Sequence, residues 1–285
     1  NLQESEIRPK EIFDEFLRLA EKDTETFFSN VKRNKIFCPS CNELGDHAFN
    51  KNGFDYSSCN FCNTLYVNPR PELAAFNRYY KNSLSSKFWA TTFYKETANA
   101  RREKIWKPKA KIINDIIIKE DLKDFHIIDI GGGYGIFAEE MKQYSNNPIN
   151  IIEPAPHLAK LCRKKGFNVV EKFMQDVLTE DLPFKPKCFV SFELFEHLYS
   201  PYEFLKSVNN LMLPNDLFIF TTLSGTGLDI QVLWENSPSV SPPHHLNFFN
   251  PNSIKIILER TGFECINVKT SGKLDIDILN NNIKY

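Results

Sequence analysis

Apolar segments of strand length alternate with helix-like segments through the second half of the chain. The apolar segments are FHIIDI, INIIE, FNVV, CFVSF, LFIFTT and FECINV, which begin at residues 125, 149, 167, 188, 217 and 263. Helices are predicted to begin near Tyr134, Pro156, Tyr202 and Asn252. This alternation is typical of a parallel sheet with helices on both faces, and it predicts the α/β class with a doubly wound, Rossmann-like sheet.

The first half follows a different pattern. Apolar residues recur at helical spacing from Pro9 to Phe28, which predicts a lead-in helix. Residues 36–70 are rich in turn-forming residues and hold two strand-like segments, KIF at 35–37 and LYV at 65–67, while Pro71 to Lys119 is helical and aromatic. We therefore expect four segments: a helical lead-in at 1–35, a small module at 36–70, a helical linker or lid at 71–122, and an α/β domain at 123–285.

The amino-acid composition limits the kinds of partner that the protein is expected to bind. The 285 residues contain 35 Lys and Arg and 36 Asp and Glu, a formal net charge of −1. Nucleic acid is not expected as the main partner, because phosphate contacts need clustered basic residues. No apolar stretch has the length of a membrane span, and the N-terminus has no secretory pattern, so a soluble cytoplasmic protein is expected. The sequence does not indicate an oligomeric state.

Four of the seven cysteines form two CxxC pairs. Cys38 and Cys41 are separated by seventeen residues from Cys59 and Cys62, which is the spacing of a zinc ribbon. Four thiolates leave no open coordination position, so the sequence predicts a structural Zn²⁺ ion. The remaining cysteines, Cys162, Cys188 and Cys265, lie in apolar surroundings and are expected to be buried thiols.

The segment HIIDIGGGYGIF combines a buried strand, a glycine-rich turn and the start of a helix. Gly131, Gly133 and Gly135 allow a sharp turn and a close approach of a ligand, although any tight strand-to-helix connection could use glycines there. Glu153 ends the next strand, at the distance typical of a ribose-binding carboxylate. The GxGxG spacing favours S-adenosylmethionine over NAD as the ligand, because a ligand without a pyrophosphate can sit over a tighter turn.

These residues resemble the class I S-adenosylmethionine-dependent methyltransferases. IIDIGGGYG is similar to the first motif of that family, IIEPAP to the second, and LPF followed by FVSFELFEHL to the region of the fourth strand. The N-terminal half, with its CxxC pairs and the phrase LYVNPRP, resembles a subgroup that carries a zinc ribbon. Members of that subgroup are similar to sugar C- and O-methyltransferases of nucleotide-sugar and surface-polysaccharide pathways.

The resemblance implies a donor site made by six residues. Asp129, Gly131, Gly133 and Gly135 would hold the methionine end of S-adenosylmethionine, and Glu153 would bind the ribose hydroxyls. Asp176 lies where an acidic residue often faces the adenine, and a helix-capping role is an equal alternative for it.

The resemblance also implies an acceptor site. Glu196 and His197 follow the fourth strand, and His245 matches the histidine that acts on the acceptor in the sugar C-methyltransferases. His244 stands where their pattern has a glutamate, which favours methylation of oxygen over carbon. A structural role, in which the histidines pack or fix loops, is an alternative for His197, His244 and His245.

The expected function is therefore methyl transfer to a nucleotide-linked or polysaccharide sugar. One alternative is an RNA base methyltransferase in which the ribbon grips RNA, although residues 36–70 carry only Lys51 and Arg70 as basic residues. A second alternative is a scaffold protein that holds the donor without catalysis.

Overall fold

The computed structural model describes residues 2–264, 266–270, 272 and 274–282. The helices are α1 Glu4–Ile7, α2 Lys10–Phe28, α3 Leu73–Asn82, α4 Leu84–Phe88, α5 Tyr94–Arg101, α6 Lys107–Lys119, α7 Ile136–Met141, α8 Pro156–Lys164, α9 Pro201–Leu211, α10 Leu228–Leu233, α11 Pro251–Arg260 and α12 Asp275–Asn282. The strands are β1 Arg33–Asn34, β2 Gly45–Lys51, β3 Phe54–Cys59, β4 Leu65–Val67, β5 Arg70–Pro71, β6 His126–Ile130, β7 Ile149–Ile152, β8 Asn168–Val170, β9 Lys187–Phe192, β10 Leu217–Thr221 and β11 Asn247–Phe248.

The chain divides into two compact units, each built from more than one segment. Unit 1 comprises residues 1–98, 196–200 and 223–285, and unit 2 comprises residues 99–195 and 201–222. No helix in the described residues is long and apolar enough to cross a bilayer.

Unit 2 contains a five-stranded parallel sheet in the order β10-β9-β6-β7-β8. Strands β7 and β9 are buried along their whole length, as expected for parallel strands that are covered on both faces. One apolar cluster joins the sheet to its helices and includes Ile113 of α6, Phe137 of α7 and Cys162 of α8. The predicted α/β class with a parallel central sheet is confirmed.

Unit 1 contains a four-stranded antiparallel sheet in the order β11-β4-β3-β2. Its apolar core is strongly aromatic and includes Phe28, Phe54, Tyr56, Phe76 and Phe248, all fully buried. The lead-in helix predicted from Pro9 to Phe28 is confirmed as α2, which contributes Phe28 to this core. A separate two-stranded ribbon pairs β1 with β5.

The strand predicted at residues 35–37 is wrong. The extended residues are Arg33 and Asn34, which pair with β5. The backbone N–H of Ile36 donates to the side-chain oxygen of Asn68, 2.9 Å away, and Cys38 then begins a turn. A side-chain acceptor therefore takes the place of the ladder hydrogen bond that a strand would need.

The sixth strand, predicted at residues 263–268, is absent from the described residues of that stretch. Gly262, with φ of 91°, ends α11, and the N–H of Phe263 donates to the carbonyl of Leu258 at 3.0 Å. This is the Schellman arrangement, which uses the start of the predicted strand to satisfy the last carbonyls of the helix. Cys265, expected to be a buried thiol, lies outside the described residues.

Candidate functional site

The glycine-rich turn of unit 2 connects β6 to α7. Gly131, Gly133 and Gly135 have φ angles of 73°, 54° and 70°, in the left-handed region where a side chain is strained. At the intervening position, a Cβ on Gly132 would lie 2.6 Å from Cγ2 of Ile151. Side chains are therefore disfavoured at these four positions, and the backbone is exposed at Gly131 and buried at Gly135.

Glu153 fixes the same turn from the end of β7. Its Oε2 accepts the N–H of Gly133 at 2.9 Å, and its Oε1 accepts the N–H of Ala155 at 2.9 Å. Burial raises the pKa of Glu153, and the two backbone N–H groups oppose that rise. Each carboxylate oxygen can accept more than one hydrogen bond, so Glu153 can hold the turn and still bind hydroxyl groups of a ligand.

Asp129 is the most unusual group in the turn. Its side chain is 2% exposed, and its Oδ2 has no hydrogen-bond partner among the described residues. Burial, with a smaller contribution from the neighbouring charge of Glu153, raises the pKa of Asp129 to about 7. A buried carboxylate without a partner is costly, and a cationic ligand group would supply the missing partner.

Asp129, the three glycines and Glu153 therefore lie together at one turn, as the sequence predicts. Asp176 is exposed at the end of a short 3₁₀ turn, Met174–Asp176. Neither the adenine-binding role nor the capping role of Asp176 is tested by this geometry. The remaining residues fit S-adenosylmethionine, which carries an ammonium group and ribose hydroxyls for Asp129 and Glu153 respectively.

A second polar cluster lies at the carboxyl ends of β9 and β10. Oε1 of Glu193 accepts the hydroxyl of Thr221 at 2.7 Å and lies 3.3 Å from Nζ of Lys109. The ammonium group of Lys109 also lies over the ring of Phe192, 4.6 Å from its centroid. Ligands bind at this edge of parallel sheets, so Lys109 and Glu193 are further candidates for substrate contact. Sequence reasoning missed Lys109, because nothing in the helical pattern of α6 distinguishes it from a surface lysine.

In unit 1, Glu196, His197 and His245 meet although they are distant in sequence. One potential ligand atom of each residue lies within 4.8 Å of the others. Glu196 is 1% exposed, whereas both imidazoles are half-buried. The backbone N–H of Leu246 donates to the carbonyl of Glu196 at 2.8 Å, which fixes the two segments side by side.

The tautomers of both imidazoles follow from their partners. Nδ1 of His197 lies 2.9 Å from the carbonyl oxygen of His244, and Nδ1 of His245 lies 2.7 Å from the carbonyl oxygen of Ser239. A carbonyl oxygen only accepts, so each Nδ1 carries the hydrogen and each Nε2 bears the lone pair of the neutral ring. Burial, and then the neighbouring His197, lower the pKa of His245 well below its ordinary value, which keeps that ring neutral.

His244 lies in a different environment from His245. Its ring centroid is 5.0 Å from that of Phe16, its Nδ1 is 2.9 Å from the Tyr79 hydroxyl, and its Nε2 is 3.2 Å from Oγ of Ser85. Burial lowers the pKa of His244 to about 3. These contacts favour the structural alternative for His244.

The four cysteines of the two CxxC pairs also converge. All four Sγ atoms lie within 4.8 Å of one another, with 3.5 Å between Cys38 and Cys62 and 3.3 Å between Cys41 and Cys59. The hydrogen bond between Cys38 and Cys62 lowers the pKa of Cys62 and raises that of Cys38, so it favours one thiolate in this pair, while burial raises the pKa of Cys41 to about 11. The donor set fits a tetrahedral ion of the zinc type.

The two CxxC turns have the same local geometry. The N–H of Asn42 donates to the carbonyl of Cys38 at 2.9 Å, and the N–H of Asn63 donates to the carbonyl of Cys59 at 3.0 Å. Asn42 and Asn63 have φ angles of 64° and 55°, a region that asparagine tolerates better than most residues. The chain therefore builds two equivalent knuckles, each presenting a pair of thiols.

The comparisons with known proteins agree with this picture. Residues 90–268 match the family described as methyltransferase domain. No curated protein matches the chain. Because the family match spans more than half of the sequence, the chain belongs to the methyltransferase domain family. The expected methyltransferase class is confirmed at the level of this family.

Solved structures share the fold at low sequence identity. Human N-acetylserotonin methyltransferase, in complex with S-adenosylmethionine, has a TM-score of 0.51 and 14% identity over 70% of this chain and 56% of its own. DesVI of Streptomyces venezuelae has a TM-score of 0.38 and 16% identity over 44% of this chain and 54% of its own. CalS10 of Micromonospora echinaspora, an amino pentose methyltransferase, has a TM-score of 0.38 and 17% identity over 45% of this chain and 55% of its own. The match therefore spans little more than half of the length of these three proteins.

Proposed function

We propose that the protein transfers a methyl group from S-adenosylmethionine to a hydroxyl group of a nucleotide-linked or polysaccharide sugar. The observation that carries the donor assignment is the buried, unpartnered Oδ2 of Asp129 beside a turn whose three glycines adopt left-handed angles. When bound there, S-adenosylmethionine supplies an electrophilic methyl group on a sulfonium centre.

The residues of unit 2 would bind and orient the donor. Asp129 would accept the ammonium group of the methionine end, and the turn formed by Gly131, Gly133 and Gly135 would pack against it. Glu153 would accept hydrogen bonds from the ribose hydroxyls while it continues to hold the N–H of Gly133. Orientation of the donor supplies much of the rate of a displacement reaction, because the reacting atoms must be in line.

The residues of unit 1 would act on the acceptor. His245 would take the proton of the acceptor hydroxyl as the oxygen forms its bond to the methyl carbon, since its neutral ring has a lone pair on Nε2. His197 and Glu196 would position that ring.

The sugar class is supported by the resemblance of the N-terminal half to the zinc-ribbon sugar methyltransferases and by the absence of excess positive charge. The residue at position 244 supports methylation of a hydroxyl oxygen over methylation of a carbon atom. The residue there is a histidine that packs against Phe16 and Tyr79, where the carbon-methylating pattern has a glutamate.

We propose further that the four cysteines bind a structural Zn²⁺ ion. The Zn²⁺ ion would hold the two knuckles together, where the buried cluster consists of Cys38, Cys59, Cys62 and Tyr66. A cytoplasmic location remains the expectation, in keeping with a substrate that is a nucleotide-linked metabolite.

The test is transfer of isotope-labelled methyl from S-adenosylmethionine into a cell extract that is then separated into nucleotide sugars, polysaccharide, RNA and protein. Label in either sugar fraction supports the proposal, and label in RNA or protein alone contradicts it. His245→Ala should abolish transfer and leave donor affinity unchanged, whereas Glu153→Ala should lower donor affinity. Glu171→Ala, at an exposed residue paired with Arg163, is the matched control and should change neither quantity.

A further inference from the structure

We propose that Glu196, His197 and His245 form a binding site for a divalent transition-metal ion of the zinc type, separate from the four-cysteine site. This inference does not depend on the proposed function, because a metal ion can bind there whatever the methyl acceptor is.

The spacing of the ligand atoms is the first argument. Atoms from all three residues lie within 4.8 Å of one another. A tetrahedral zinc ion at about 2.0–2.2 Å from each ligand would place them roughly 3.4 Å apart. Rotation of the side chains therefore has to close a gap of at most about 1.4 Å, which is within the reach of small changes in side-chain torsion angles.

The hydrogen bonds of the two imidazoles are the second argument. Histidines that bind metals almost always donate their other ring N–H to a carbonyl or carboxylate, which fixes the ring and its tautomer. His197 and His245 both do so, through Nδ1–H to the carbonyl oxygens of His244 and Ser239. Both rings are therefore prepared to bind through Nε2.

The charge of the donor set is the third argument. Two neutral imidazoles and one carboxylate reduce the charge of a divalent ion to +1, and the carboxylate of Glu196 lies in a side chain that is only 1% exposed. Imidazole and carboxylate together suit zinc, iron and cobalt, whereas magnesium and calcium prefer sites made of oxygen alone.

The accessibility of the site indicates what the ion could do. His197 and His245 are half-buried, and three protein ligands would leave a fourth tetrahedral position for an external oxygen ligand. Three protein ligands with an open position are typical of reactive metal sites, in which the ion lowers the pKa of a bound oxygen ligand. A metal-bound His245 could not also accept the acceptor proton, so the metal site and the base role of His245 are distinct states of the enzyme.

The test is titration of the purified full-length protein with Zn²⁺ alone, followed by calorimetry and by measurement of metal per chain. The wild type should hold two ions per chain, one at the cysteines and one at Glu196, His197 and His245. Glu196→Gln and His245→Ala should each reduce the count by one ion. The control His47→Ala alters an exposed histidine in β2 and should leave the count unchanged.

Replacement of zinc by Co²⁺ identifies which ion is lost, since only the cysteine site gives thiolate-to-cobalt absorption. That absorption should persist in both variants. An unchanged metal count in Glu196→Gln and His245→Ala would overturn the inference. Glu196→Gln preserves the size of the side chain, so it remains decisive if His245→Ala does not fold. A failure of methyl transfer by protein that holds only the ion at the cysteines would count against the proposed function and not against the metal site, because His245 is then free of metal.

Discussion

Asp129→Asn should change the pH dependence of stability in a way that can be calculated from the burial of its carboxylate. Burial raises the pKa of Asp129 from its ordinary 3.8 to about 7. The folded state therefore binds a proton more tightly than the unfolded state, and this contribution to stability is fully present below pH 3.8 and lost as the pH rises through about 7. The difference between the two pKa values corresponds to roughly 4 kcal/mol in total, of which about 3 kcal/mol falls between pH 5 and pH 8.5.

Asparagine has nearly the same shape and does not ionise, so Asp129→Asn should not show this loss. The amide nitrogen it introduces can cost about 1–3 kcal/mol at all pH values if it lacks an acceptor. The informative quantity is therefore the change, between pH 5 and pH 8.5, in the difference in unfolding free energy between wild type and variant. The wild type should become less stable relative to the variant by about 3 kcal/mol over this interval.

Urea denaturation at the two pH values measures this quantity. Asp115→Asn, the same substitution at an exposed position on α6, is the control and should give the same difference at both pH values. S-adenosylmethionine should stabilise the wild type at pH 8.5 much more than it stabilises Asp129→Asn, because its ammonium group compensates the ionised carboxylate. A difference between wild type and Asp129→Asn that is the same at pH 5 and pH 8.5 would refute the reasoning.

Three further predictions concern packing and the cysteine site. Gly132→Ala should lower the unfolding free energy by about 1–3 kcal/mol and weaken donor binding, because the new Cβ would lie 2.6 Å from Cγ2 of Ile151; unchanged thermal stability and affinity would contradict this. His244→Ala should destabilise unit 1 by about 2–4 kcal/mol, since it removes a ring packed against Phe16 and Tyr79, while donor affinity measured by calorimetry should not change. Cys59→Ser should remove one bound zinc ion and lower the melting temperature, and metal analysis that finds the wild-type zinc content would show that Cys59 is not a ligand.

The sequence alone predicted the features that depend on interactions between residues close together in the chain. The turn at Gly131, Gly133 and Gly135 and the two cysteine knuckles depend on residues within a few positions of one another, and periodicity placed the five parallel strands. Glycine permits the positive φ angles of Gly131, Gly133 and Gly135, although it does not require them, since Gly132 in the same turn has none. The partnership of Asp129 and Glu153 also follows, because neighbouring parallel strands end at the same edge of a sheet.

Interactions between distant segments were not predictable in this way. No local pattern shows that Lys109 would reach Glu193, or that His244 would pack against Phe16 while the adjacent His245 meets Glu196. The end of α11 was only partly predictable from the sequence. The sequence TGF is compatible with a strand start, but Gly262 also permits a helix cap, and the hydrogen bond from Phe263 to Leu258 decides between them.

The pairing of β11 with β4 has a consequence for the order in which the protein folds. Asn247 and Phe248 complete the sheet that carries Cys59 at the end of β3, yet residues 68–246 separate them from β4. Closing so long a loop is slow and costs chain entropy, and during synthesis β4 has no partner on that edge until nearly all of the chain has been made. Metal binding at the knuckles needs only residues 38–62, so early capture of an ion would stabilise the nascent hairpin while its edge is still exposed. The late strand then covers an edge that could otherwise pair with another nascent chain.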